Sequence, residues 1–185
     1  MEKKKNQANE PISTYEQPLN ADEIWKLFKE TDQRFKETDK KIDRLTNLFT
    51  SQWGKLVESL VEGDLVNLLK QWGIEVQRTI QNVEGRYNGH NYEFDIIAVN
   101  GREIVIVEVK TTLRPDDVKH FIDKLNHAKK WMQEYKHMKL YGAMAYLKAQ
   151  AGSAAMAVNK GLFAIRATGN SAHIINQPDF EPKVF

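Results

Sequence analysis

Large apolar residues recur every seven positions in the first third of this chain, and this pattern constrains its fold more than any other. One series consists of Phe28, Phe35, Ile42, Phe49 and Leu56. A second series occupies the companion positions and consists of Ile24, Thr31, Thr38, Leu45 and Gln52. A repeat of this period predicts a long amphipathic helix and is typical of coiled coils.

The seam of this helix has threonine and glutamine at positions where leucine is usual, which leaves two interpretations open. Either residues 21–56 self-associate as a homodimer or higher homo-oligomer, or the helix folds back over its own domain. We favour self-association, because the chain between residues 20 and 50 offers no other cover for these apolar groups. Residues 1–50 carry 10 Lys/Arg and 10 Asp/Glu, a balance that favours a protein partner over a phosphate backbone.

The sequence divides into three regions, of which the last is large enough to form a domain with its own core. Residues 1–20 are polar, contain Pro11 and Pro18, and predict a flexible leader. Residues 21–52 form the helical coiled-coil arm, and residues 53–185 form an α/β domain. There is no cysteine, which excludes disulfides, thiol nucleophiles and zinc–thiolate sites.

No apolar run approaches the roughly 18 residues that a membrane-spanning helix needs. The N-terminus is not followed by the apolar segment of a secretory signal. We therefore expect a cytoplasmic protein without a membrane partner.

Within the third region, helical and strand-like patterns alternate in a way that predicts a mixed sheet flanked by helices. The helix continues from Trp53 and ends at Gly73, and a second helix begins at Pro115 and runs to about Tyr135. A small-residue helix is predicted at 151–160. The predicted strands are 74–80, 93–99, 103–109, 139–147, 162–167 and a short one at 173–175. Asn88-Gly89 and Asn100-Gly101 predict the turns between the first three strands.

Two carboxylates and a lysine are expected to meet on neighbouring strands. Side chains alternate along a strand, so Glu108 and Lys110 share one face at the end of an apolar strand. Asp95 lies in the preceding strand, and a hairpin through Asn100-Gly101 would place it beside Glu108.

Such a pair of carboxylates favours a hard divalent cation, Mg²⁺ or Mn²⁺. Two neighbouring carboxylates repel each other unless a positive charge lies between them. One or two carboxylates together with a substrate phosphate are sufficient to bind Mg²⁺. Lys110 is then placed to orient an attacking water or to neutralise charge on the phosphate. Glu58, from the preceding helix, is the third candidate acid, with Glu62 one turn away as its substitute.

Three segments together resemble the PD-(D/E)XK nuclease superfamily. They are Gly54-x-x-x-Glu58, Phe94-Asp95-Ile96-Ile97-Ala98 and Val107-Glu108-Val109-Lys110-Thr111. The pattern is similar to the archaeal Holliday-junction-resolvase-like branch and its uncharacterised bacterial relatives, some of which carry an N-terminal coiled coil. The resemblance covers roughly residues 53–147, and Phe94 stands where the family's nominal motif has proline.

The resemblance implies a restriction-endonuclease-like core of order αβββαβ and a metal-dependent nuclease site. It implies that Asp95 and Glu108 bind the metal ion, with the main-chain carbonyl of Val109 as a further ligand. Lys110 would assist the water, and Glu58 would bind or orient through water.

The second predicted helix carries the candidate nucleic-acid-binding residues. They are Lys119, Lys124, Lys129 and Lys130. A basic helix beside a metal site would meet phosphates, although an ordinary solvated helix face explains the same residues equally well. The histidines nearby lack the spacing of a metal cluster.

The sequence thus predicts an Mg²⁺-dependent nuclease that hydrolyses nucleic-acid phosphodiester bonds through a metal-activated water. DNA is the favoured substrate, but no sequence feature distinguishes it from RNA. The alternative is a catalytically inactive module of the same fold that acts through its coiled coil or binds nucleic acid. A phosphohydrolase acting on small nucleotides is a weaker third interpretation, because no base- or ribose-binding motif is present.

Overall fold

A computed structural model of the chain describes residues 20–185, except for the side chains of residues 23, 47, 49, 50 and 53. The predicted flexible leader, residues 1–20, lies outside the described residues except for its last position. The chain divides into two compact units between Thr46 and Asn47, and each unit is described by itself.

The first unit contains the N-terminal part of a long helix, α1, which extends over Ala21–Gln71. The predicted long helix is thereby confirmed. The heptad side chains are largely exposed: Phe28 and Phe35 are each 65% exposed, and Ile42 is 54% exposed. The polar seam residue Thr38 has its hydroxyl bonded within the helix, where Oγ1 donates to the Arg34 carbonyl at 2.8 Å. The predicted seam residue Phe49 has a side chain outside the described set.

The second unit contains one mixed sheet, which among residues 20–185 has six strands in the order β1-β2-β3-β4-β5-β6. The strands are β1 (Arg78–Tyr87), β2 (His90–Val99), β3 (Glu103–Leu113), β4 (Lys139–Ala149), β5 (Phe163–Ala167) and β6 (Ala172–Ile174). Strand β2 is antiparallel to both of its neighbours, β1 and β3. Strands β3, β4 and β5 run parallel, and β6 is antiparallel to β5. This confirms the predicted mixed α/β class.

The helices of the second unit cover both faces of the sheet. On one face, the second half of α1 buries an i, i+4, i+8 stripe formed by Val57, Val61 and Leu65. On the other face lie α2 (Pro115–Trp131) and α3 (Ser153–Asn159). Alternating residues of the strands divide between these two cores, so that Val105 and Val107 face α1 while Ile104 and Ile106 face α2.

The predicted strand at 74–80 is wrong in its position. Gly73 ends α1 in a left-handed conformation with φ of 77°, and residues 74–77 lead to β1 without being a strand. Ile74 is buried in the core beneath α1. In the sequence, such a buried apolar residue just after a helix has the same pattern as the first residue of a strand.

The second helix begins as predicted but ends earlier. Pro115 occupies its first turn, and the Arg114 amide donates to the Asp117 carboxylate at 2.8 Å. The helix ends at Trp131 rather than near Tyr135, and a 3₁₀ helix at Gln133–Tyr135 follows it. Within residues 20–185, no helix is both long and apolar enough to cross a membrane.

Candidate functional site

Asp95 occupies a gap in the sheet where pairing is interrupted on both sides of β2. Toward β3, the ladder ends with the pair Ile96 and Val107, one position short of Asp95 and Glu108. The Asp95 carboxylate itself takes over the next main-chain group, because the Val109 amide donates to its Oδ2 at 2.6 Å. Toward β1, the residue across from Asp95 is Asn82, whose φ of 48° is left-handed and outside the regular ladder.

Glu108 is placed beside Asp95 by the β2–β3 register, as predicted, and it forms a buried ion-pair cluster with lysines from two elements. The residue is 8% exposed. The Nζ of Lys110, on the same strand, lies 2.8 Å from its Oε1. The Nζ of Lys124, from α2, lies 2.6 Å from its Oε2. Glu108 thus links β3 to α2 through its ion pair with Lys124.

The two strand carboxylates have pKa shifts of opposite direction. Burial, together with the negative charge of Glu108, raises the pKa of Asp95 to about 6, although the Val109 amide and Lys110 oppose the rise. Burial would also raise the pKa of Glu108, but the charges and hydrogen bonds of Lys124 and Lys110 outweigh it and lower that pKa. Two neighbouring acids with separated pKa values are the arrangement found at sites of acid–base and metal chemistry.

Lys110 remains firmly protonated in this cluster. Burial would lower the pKa of its ammonium group, but Glu108 raises it by charge and hydrogen bond, and Asp95 and Asp117 add to the effect. Lys110 therefore acts here as a fixed positive charge.

Glu58 belongs to the same electrostatic neighbourhood. The pKa of this half-buried α1 residue is raised by burial and by Glu93, while Lys55 and Lys110 lower it. Its charge in turn raises the pKa of Asp95. Glu62, the predicted substitute, instead accepts hydrogen bonds from Thr79 and Gln81 of β1. The structure thus separates the two, with Glu58 toward the site and Glu62 toward the first strand.

The four lysines predicted to bind nucleic acid do not form one exposed stripe. Lys119 is exposed and paired with Asp116 at 2.8 Å, and Lys130 lies over the Tyr87 ring with its Nζ 5.9 Å from the centroid. Lys129 is half-buried. Lys124 is engaged with Glu108, a contact that the sequence analysis missed because its partner lies sixteen residues away on another element.

Sequence reasoning also missed a cavity beside Lys124. It is lined by His90, His120, Asp123, Lys124, His127 and Trp131. The available signal was helical spacing, because residues 120, 124, 127 and 131 fall on one face of α2 at i, i+4, i+7 and i+11.

The carboxylate groups of the site suit a hard divalent cation in their chemistry but do not form a complete protein cage. Asp95 and Glu108 supply the oxygen donors that Mg²⁺ prefers. Among the described residues, no group of three or more His, Cys, Asp or Glu side chains is arranged to hold a metal ion. A bound ion would therefore depend on water and substrate oxygens as well, and it would share the Glu108 carboxylate with Lys110 and Lys124 or displace one of them.

Comparison with known proteins does not assign this chain to a family. No family model matches it, and no curated protein does. A crystal structure of a protein of unknown function, AF1548, is similar at 17% identity with a TM-score of 0.39, over 54% of this chain and 53% of that chain. The chain thus spans about half the length of that structure.

Proposed function

We propose that this protein is an Mg²⁺- or Mn²⁺-dependent nuclease with a restriction-endonuclease-like core, acting on DNA in the cytoplasm. The observation that carries the proposal is the gap at Asp95, where a carboxyl group with a pKa of about 6 lies beside Glu108 and Lys110. The element order α1-β1-β2-β3-α2-β4 supports it, since this is the αβββαβ order that the sequence resemblance implies. The absence of cysteine is compatible with a reducing compartment.

Each residue of the site has a distinct part in this proposal. Asp95 and Glu108 would hold the cation, with the Val109 carbonyl as the further donor that the resemblance implies. When bound, the cation would lower the pKa of a coordinated water and stabilise negative charge on the scissile phosphate. Lys110, held as a cation by Glu108, would orient the nucleophile or neutralise the phosphate, and Glu58 would position water.

Titration of the metal tests this proposal directly. Calorimetry of Mg²⁺ and Mn²⁺ into the metal-stripped protein is expected to show binding that is lost in Glu108→Ala. The matched control is Glu134→Ala, which removes an exposed carboxylate from the 3₁₀ helix and is expected to bind like wild type.

The same three proteins are then assayed for cleavage of duplex, single-stranded and branched DNA. Cleavage that depends on Mg²⁺ and on Glu108 supports the nuclease. Full metal-dependent cleavage by Glu108→Ala would contradict the assignment of this residue.

The inactive module remains the second candidate, and one observation favours it. Both oxygens of Glu108 accept from lysine ammonium groups, so the carboxylate is already neutralised without a metal. If neither ion binds and no substrate is cleaved while nucleic acid still binds, this candidate replaces the nuclease.

We further propose that α1 self-associates through its heptad face with a second copy of this chain. Exposed apolar residues in a continuous stripe mark interaction surfaces, and Phe28, Phe35 and Leu45 are each 65% exposed. The hydroxyl of Thr38, bonded to its own helix, can enter a seam without leaving an unpaired donor. The balanced charge of residues 1–50 also suits a helical partner of the same sequence.

A charge placed in this seam is expected to abolish self-association. Sedimentation of the wild type should give twice the chain mass of 21.4 kDa or a higher multiple, whereas Phe35→Asp should sediment as a monomer because burying the new charge is costly. Gln33→Asp introduces the same charge on the face of the helix opposite the seam, and it should not dissociate the protein. A monomeric wild type at micromolar concentration would contradict the proposal.

A further inference from the structure

A cavity of about 440 Å³, wide open to solvent, lies on the α2 side of the sheet. Through Lys124 it adjoins the carboxylate–lysine site, by which we mean Asp95, Glu108 and Lys110. It lies in the volume range typical of small-molecule sites. Its lining is rich in flat rings, with three imidazoles and one indole around Lys124 and Asp123.

Two lining rings, those of His90 and His127, and the neighbouring Tyr92 ring lie against Trp131. The His127 ring lies 5.5 Å from it with an interplanar angle of 17°, and the Tyr92 ring lies 5.5 Å from it at 8°. The His90 ring centroid is 5.1 Å away. The imidazoles of His90 and His127 are exposed, whereas Trp131 is half-buried. The exposed members of the stack are therefore imidazoles.

Two features hold these rings in place before any ligand binds. The Nδ1 of His127 lies 2.7 Å from the Asp123 carbonyl, and since a carbonyl only accepts, Nδ1 carries the proton and the ring plane is fixed. Gly85 lies across from Tyr92 in the β1–β2 pair, and a methyl group there would overlap the Tyr92 ring. The ring stack therefore requires glycine at position 85.

Lys124 joins the cavity to the candidate catalytic site. Its Nζ contacts Glu108 at 2.6 Å and lies 5.1 Å from the centroid of the Phe94 ring. The same side chain also lines the cavity. A strand with a phosphate near Glu108 and Lys110 would therefore have an adjacent nucleotide within reach of the stacked rings.

We propose that this cavity binds one unpaired nucleobase of a nucleic-acid strand whose phosphate lies at the carboxylate–lysine site. The inference rests on the proposed nuclease function and narrows its substrate to strands with a base outside a duplex. Stacking on flat side chains is the general means of holding unpaired bases, and it tolerates any base because every base has a π-face. A base within a stacked duplex does not present that face.

The test compares binding of a labelled twelve-residue thymidine oligonucleotide with that of an abasic oligonucleotide of the same length. Fluorescence anisotropy is measured in Ca²⁺ and again in EDTA, so that the readout is binding and not cleavage. Wild type should bind the base-bearing strand about fivefold or more tightly than the abasic strand. The double variant His90→Ala/His127→Ala should bind both strands equally, with its affinity for the abasic strand unchanged. His137→Ala, an exposed histidine outside the cavity lining, should retain the wild-type preference.

The outcomes separate this inference from the function on which it rests. If wild type binds both strands equally, or if the double variant retains the preference, the cavity does not bind a base, while nucleic-acid binding stands. If wild type binds neither strand, the nucleic-acid function fails and the inference fails with it. Thermal melting of the double variant verifies its fold, which should be intact because both imidazoles are exposed.

Discussion

An Asp95→Asn protein is expected to be more stable than wild type near neutral pH and to lose metal-dependent cleavage. In wild type, the half-buried Asp95 carboxylate beside Glu108 has a pKa raised from 3.8 to about 6. Because one pKa unit corresponds to about 1.4 kcal/mol, this rise means that ionisation of Asp95 destabilises the folded state by about 3 kcal/mol. Asparagine removes this cost and can still accept from the Val109 amide. We expect a gain of about 2–3 kcal/mol in the free energy of unfolding.

The pH dependence gives this prediction a sign that can be checked. Because the folded-state pKa lies above the unfolded one, the folded protein binds the proton more tightly between about pH 4 and pH 6. The cost is complete above about pH 6 and disappears below about pH 4. The difference between Asp95→Asn and wild type should therefore be large at pH 7, shrink through this window and vanish at its lower end in urea denaturation.

Asp64→Asn is the matched control for stability. Asp64 also accepts from a main-chain amide, that of Ala172 at 2.6 Å, and a charged acceptor makes the stronger bond. Its replacement is therefore expected to give no gain.

In the cleavage assay, Asp95→Asn should lose roughly a hundred- to a thousandfold in rate, with Asp64→Asn unaffected. If Asp95→Asn is less stable than wild type at pH 7, the ionised Asp95 carboxylate does not destabilise the folded protein, and this prediction is wrong.

Glu108→Gln is expected to have the opposite effect on stability. The amide cannot neutralise the ammonium groups of Lys110 and Lys124, whose side chains are only 34% and 28% exposed. Removing one member of a buried ion cluster leaves uncompensated charge and costs about 3–5 kcal/mol when burial is complete. Because both lysines retain some contact with water, we expect a loss of about 2 kcal/mol in the free energy of unfolding.

A second substitution separates unpaired charge from lost packing. Lys124→Met in the Glu108→Gln background removes one ammonium group and keeps an apolar stem over Phe94, so most of the stability should return. The loss in Glu108→Gln should also fade in acid, because a carboxylate with a lowered pKa contributes stability above its unfolded pKa and loses it as the pH falls through its folded pKa. If the double variant is no more stable than Glu108→Gln, uncompensated charge is not the cause.

Much of this fold could be predicted because its determinants are local. The apolar strand before Glu108, the Asn100-Gly101 turn and Pro115 at a helix start each act within a few residues, and each was placed correctly. The hairpin register that brings Asp95 next to Glu108 follows from that turn. The activity of the protein stays a prediction, because the same fold can support different chemistries.

The features that the sequence did not reveal depend on contacts between distant elements. Lys124 was predicted to meet phosphate, but its pairing with Glu108 depends on how α2 lies on the sheet. The gap at Asp95 arises because the β2–β3 ladder ends beside it and the β1–β2 ladder skips it, and neither event is visible in the alternation of residues along β2. The ring stack at Trp131 unites β2 with α2, and single-segment patterns do not report such pairs.

Helix α2 places Lys124 between core residues, and this has a consequence for how the chain can tolerate mutation. Phe121, Leu125 and Ala128 are buried in the core against the sheet, while Lys124 on the same turns reaches Glu108. A repacked core that rotated this helix would displace the lysine even though no site residue had changed. Substitutions in the α2 core and substitutions in the site are therefore not independent. The effects of a change at Leu125 and of one at Lys124 on the free energy of unfolding should be non-additive.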